Sequence, residues 1–229
     1  MIKAAAVVNL TPTTGEPGDP VVVDGTDFAA SASIGIGFGP EIGITNESPT
    51  VTDNGQGENP RIITGYTAKQ PIKPGSFIWA IDFGQASPVQ YSDNGDGTLE
   101  SNSGPAFTGT INYTTGYFTQ TSTSFTSFPA TNPEIDYITY AFDVTPSGLA
   151  TDSSGMLSEG ITVPEIWNGT EPVTVIDDQG NLASSDFTVS GSDVIPEPLT
   201  ITAIILLSSV ALVVSFYGLR KRPPSKALA

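Results

Sequence analysis

The sequence predicts an all-β chain: a β-sandwich interrupted by a smaller β module and followed by one C-terminal transmembrane helix. Three observations predict it. Apolar runs are short and β-branched, turn residues recur between them, and no stretch of a dozen residues before Pro198 has the period of a helix. The expected strands are Val21 to Val23, Ile34 to Phe38, Phe77 to Phe83, Tyr137 to Val144, Pro172 to Ile176 and Phe187 to Val189. The turn signals are Asp24-Gly25, Asp53-Asn54-Gly55, Asp93-Asn94-Gly95, Thr115-Gly116, Ser154-Gly155 and Gln179-Gly180. The stretch before Pro196 is long enough for one large or two small sandwiches, each with its own core.

At the N-terminus, Val7, Val8 and Leu10 read as a first strand. Gly15 and Gly18 permit φ > 0 in the turn that follows. Val21 to Val23 come next, and Phe28 after Asp24-Gly25 should be buried. Ile34, Ile36 and Phe38 alternate with glycines, which gives one apolar face. This series resembles the opening of IPT/TIG-type immunoglobulin-like domains. The closing half of such a domain is found far downstream. Met156 to Val163 form one run, Pro172 to Ile176 another, and Ala183, Phe187 and Val189 a last strand with alternate residues inward. These pieces resemble the end of bacterial and archaeal surface Ig-like domains. The resemblance implies an Ig-like β-sandwich assembled from residues 1–44 and 135–191.

Residues 45–134 are then an inserted module. Gln70 to Phe77, Asp93 to Leu99 and Gly109 to Phe118 resemble a small β module of phage tail and virion-associated proteins, which implies assembly and not catalysis. Two serial domains are the competing arrangement, but they would leave the first 40 or so residues without closing strands.

The C-terminal part is read from charge and hydropathy. Residues 192–198 are a stalk, 199–219 an uncharged apolar run, and 220–229 a basic tail. The 21 residues from Leu199 to Leu219 span about 32 Å as a helix, close to the ~30 Å of a bilayer core. Arg220, Lys221 and Arg222 follow directly as a stop-transfer cluster and place the tail in the cytoplasm. All 24 acidic residues lie at or before Glu197, against four basic ones there (Lys3, Arg61, Lys69 and Lys73), which leaves −20 outside. The tail adds Lys226 and carries +4. Such a field repels nucleic acid and keeps an extracellular domain soluble. Met1 to Leu10 are too short for a good signal peptide and lack a cleavage site, so an export signal is expected to be missing from this chain. Pro196, Glu197 and Pro198, the apolar run and the basic cluster together resemble the PEP-CTERM sorting signal. That signal implies processing by an exosortase or archaeosortase and a single-pass, cell-surface location.

The chain has no Cys and no His. Disulfides, thiolate chemistry, Ser-His-Asp catalysis and His metal sites are therefore excluded. Two-carboxylate chemistry survives in principle, yet no acid pair sits beside an aromatic cleft signature, so no enzyme and no catalytic residue are assigned. Asp93 to Gly97 and Asp53 to Gly57 could hold calcium at a surface turn, but the third residue of each is Gly where a ligand oxygen is needed. A turn, type I′ at Asn-Gly, is the preferred reading, and no cofactor is assigned. Asp177-Asp178 is also read as a turn. Asn9, Asn46, Asn112 and Asn168 begin glycosylation sequons. Trp79 and Trp167, with Tyr91, Tyr113, Tyr117, Tyr137 and Tyr140, could line a sugar platform, although most suit a core. The expected protein is thus a structural or adhesive prokaryotic surface protein whose partners are the membrane, a sortase-like enzyme, and extracellular polysaccharide or other surface proteins. A carbohydrate-binding module that holds exopolysaccharide and a phage-derived attachment protein are the alternatives.

Overall fold

A computed structural model describes residues 5–84, 87–124 and 130–191. The Pro-Glu-Pro stalk, the apolar run and the basic tail lie outside them. The described residues are all-β, with fifteen strands and no helix.

In chain order the strands are β1 (Val7–Thr11), β2 (Thr14–Gly15), β3 (Pro20–Thr26), β4 (Ile34–Glu47), β5 (Val51–Asp53), β6 (Arg61–Tyr66), β7 (Ile78–Asp82) and β8 (Val89–Asp93). They continue as β9 (Thr98–Ser101), β10 (Phe107–Ile111), β11 (Tyr117–Ser122), β12 (Thr131–Asp143), β13 (Leu157–Thr162), β14 (Gly169–Asp177) and β15 (Leu182–Val189). One sheet has the order β1-β3-β13, and the other runs β2-β15-β14-β4-β12-β7-β8-β9-β10-β11-β6-β5. Apart from the short parallel β2–β15 contact, every pairing is antiparallel.

Alternation makes the faces. In β3, Val21 and Val23 are fully buried while Val22 points out; in β15, Ala183, Phe187 and Val189 are buried in the same way. The buried residues form two clusters. The first joins Val8, Leu10, Val21, Val23, Phe28, Ile34, Ile36 and Phe38 to Leu157, Ile161, Val173, Val175 and Phe187. The first forty or so residues thus meet residues 157–189 across two facing sheets. Phe38 and Phe187 stack edge-on at 5.8 Å, and burying each ring contributes about 1.5–3 kcal/mol. The second cluster gathers Ile63, Phe77, Trp79, Tyr91, Phe118 and others of β6–β11 with Ile135, Tyr137 and Tyr140 of β12. Strand β12 spans the expected 134/135 boundary and supplies both bodies with backbone, pairing β4 on one side and β7 on the other.

Several local expectations are corrected. Asp24-Gly25 is not a turn but the interior of β3, paired with Ser158 and Leu157. Gly25 serves a close approach: a Cβ there would lie 2.7 Å from Leu157 Cδ2 and 2.9 Å from Phe28. Of the two glycines that permit a positive φ there, Gly18 takes it (φ 92°), while Gly15 lies in β2 against Phe187. Strand β4 has the apolar face expected of it, and its glycine side is buried as well over Ile34–Gly39. Ile34, Ile36 and Phe38 face the first core, and the bare backbone of Gly35 and Gly37 receives Pro71 and Tyr140 from the other side.

Candidate functional site

The acidic loops are locked from within. Asp93 Oδ1 accepts the Gly95 N–H (2.9 Å) and the Tyr113 hydroxyl (2.6 Å), and its Oδ2 accepts the Gly75 N–H (2.6 Å). Asp96 Oδ1 accepts the Thr98 N–H and hydroxyl at 3.0 and 2.6 Å, which hold its carboxyl below the usual value. The connection from β8 to β9 has four residues, with positive φ at Gly95 and Gly97 and not at Asn94, so it is not the expected type I′ turn. Asp53 accepts from the Gly55 N–H and from Nε and Nη2 of Arg61. The Arg61 guanidinium, itself buried and 5.4 Å from the Phe83 ring, holds the Asp53 carboxyl below its ordinary range. Asp177 is fully buried and accepts from the backbone of Ala29, Gln179 and Asn181. Among the described residues no three acids gather as a metal site.

The aromatic residues divide sharply. Trp79 is fully buried, stacked on Tyr91 at 5.4 Å and edge-on to Phe118 at 4.8 Å. Tyr91, Tyr113, Tyr137 and Tyr140 are buried as well. These five cannot present a ring to a ligand, which corrects the sugar platform expected from them. Trp79 Nε1 is buried without a hydrogen-bond partner among the described residues, while the buried Tyr91 hydroxyl interacts with the buried Gln120 amide. Trp167 is exposed on the loop before β14.

Burial pushes all four tyrosine hydroxyls to higher pKa, with Asp93 adding to the effect at Tyr113 and Glu47 at Tyr137. Their folded values lie above the unfolded value of ~10. They therefore contribute stability that is present below that pH and lost as the pH rises from there through the folded values. Ultraviolet titration should show the phenolate signal of these four arriving together with unfolding. Ionisation of every phenol with the circular dichroism unchanged would contradict their burial.

The open aromatic surface lies elsewhere, on a residue that sequence reading passed over. Tyr66 of β6 is 61% exposed and sits directly across from the half-buried Tyr117 of β11, ring centroids 5.0 Å apart. Both belong to the outward face of β9-β10-β11-β6-β5. Along that face the register aligns Thr52 with Thr64, Thr64 with Thr119, Thr119 with Thr110, and Thr110 with Thr98. At ~4.8 Å per strand this row is about 19 Å long. Thr121 and Thr108 start a second row, and Thr110 and Thr119 share a 2.8 Å hydrogen bond. The Thr-x-Thr spacing at 108/110 and 119/121 was the available signal, but only strand pairing turns it into a row.

Of the sequons, Asn9, Asn46 and Asn168 are exposed. Asn112 is half-buried in the β10–β11 turn, where its Oδ1 accepts from the Thr114 N–H, the Thr114 hydroxyl and the Thr115 N–H. Its side chain is thus already a turn lock. Pro196, Glu197, Pro198, Arg220, Lys221 and Arg222 lie outside the described residues. Compared with protein-family models, with curated proteins and with solved structures, the chain matches none.

Proposed function

We propose that this chain is a structural or adhesive protein of a prokaryotic cell surface. Its outer part is an Ig-like sandwich with an inserted β module, held at the membrane by residues 199–219 or released from them by a sortase-like enzyme. One observation carries the reading: Pro196-Glu197-Pro198, an uncharged apolar run of membrane-spanning length and Arg220-Lys221-Arg222 follow one another in that order, with −20 on one side of the run and +4 on the other. Proline disfavours helix in the residue before it, so the sequence Pro196-Glu197-Pro198 suits a motif that a processing enzyme must reach. The all-β body and the acids tied up in turns suit a passive scaffold.

The intact mass of the protein from fractionated native cells tests this. Recovery in the envelope is expected, with a C-terminus either near Pro196–Pro198, meaning processing, or at Ala229, meaning a retained anchor. Full-length protein in the cytosolic fraction would overturn the reading.

A further inference from the structure

We propose that the outward face of β9-β10-β11-β6-β5 binds a neutral polysaccharide chain, with Tyr66 and Tyr117 as its stacking platform. The inference deepens the adhesive reading by naming a ligand class, but its physical basis does not depend on where the protein resides.

The two rings come from paired positions on neighbouring strands and form one continuous aromatic patch. Tyr66 keeps 61% of its surface in water although the second core beside it buries four other tyrosines. An exposed ring of this kind offers an apolar face to the C–H side of a sugar and a hydroxyl to its rim. Beside the rings run the threonines 52, 64, 119, 110 and 98. The Thr98 hydroxyl donates to Asp96 and accepts from Asn94, and those of Thr110 and Thr119 bond each other, so Thr52, Thr64 and the remaining capacity of the Thr110–Thr119 pair are what a sugar hydroxyl would meet. Threonine is stiff at χ1, so little side-chain freedom is lost when a ligand settles on it. The face is an open row about 19 Å long at ~4.8 Å per strand, which suits a polymer better than a single sugar.

Charge selects among polymers. Arg61 is the one cation in these five strands, and its side chain is buried and paired with Asp53. Glu100 stands exposed on the face, and the net charge before the apolar run is −20. Anionic polysaccharides and nucleic acids would meet only repulsion there.

The test uses the full chain, made in a host that does not glycosylate sequons and held in sugar-free amphipol. It is applied to insoluble cellulose, mannan and β-1,3-glucan, with alginate gel as the anionic comparison. Retention on at least one neutral polymer is expected. Tyr66→Ala and Tyr117→Ala should each weaken it about tenfold, equivalent to about 1.4 kcal/mol. Tyr66→Phe should keep it, and Thr110→Val with Thr119→Val should reduce it while both rings remain. Trp167→Ala, away from these strands, should bind as the parent does. The proposal is overturned by retention on none of the neutral polymers, by tighter retention on alginate, or by retention indifferent to Tyr66→Ala in protein with parental melting temperature. Such failure would leave the surface location standing, because the C-terminal mass decides that separately.

Discussion

Trp79→Ala is expected to destabilise the protein by about 3–5 kcal/mol, the range for truncating a buried large aromatic. The indole is fully buried between Tyr91 and Phe118, on strand β7, which joins β12 to β8. Its removal opens a cavity in the second core that the neighbouring rings fill only in part. Chemical denaturation with an unchanged slope should report the loss as a lower midpoint. A loss below ~1 kcal/mol would mean that the indole is not packed as described. The result also matters for binding studies. A Trp79 variant that fails to bind any ligand would report unfolding, whereas Tyr66 and Tyr117 can be changed at the surface.

Asp177→Ala should cost about 3–4 kcal/mol, because several charge-assisted hydrogen bonds vanish and buried N–H groups lose their acceptor. One carboxylate closes the β14–β15 turn through the N–H groups of Gln179 and Asn181 and reaches the Ala29 N–H at 2.8 Å, 148 positions earlier in the chain. It therefore ties the end of the sandwich to its beginning. Asp177→Asn keeps one acceptor oxygen but turns an amide toward donors, so an intermediate loss is expected. Equal stabilities of Asp177→Ala and the parent in urea titration would refute the clamp.

How far the sequence could be read depended on whether a signal was local. Alternation within β15 marked Phe187 and Val189 as core, because side chains in a strand alternate between faces whatever lies opposite; Val21 to Val23 read only as a strand, and the pairing decides that Val22 faces out. Phe28 is buried as expected, but in the bend after β3 and not behind a turn at Asp24-Gly25. Gly25 misled because a glycine that allows a turn and one that admits a neighbour look identical in one dimension. Only Leu157, more than 130 positions away, reveals which it is. Asp177 read as a turn residue, which it is; its bond to Ala29 carried no local mark. The candidate binding face was the least legible part. Tyr66, Tyr117 and the five threonines are spread over five strands, and their alignment exists only in the hydrogen-bond register.

The sequence by itself determined the all-β class, the absence of thiol and imidazole chemistry, the acidic charge of the body and the apolar, base-flanked run after Pro198. Each follows from composition or from periodicity within a few residues. The tertiary structure decided which aromatics are buried and which are open, that β4 is covered on both faces, and that isolated Thr-x-Thr pairs become a row. Those outcomes depend on pairings between distant segments, and a strand's pattern fixes which residues share a face but not which strand will lie beside it.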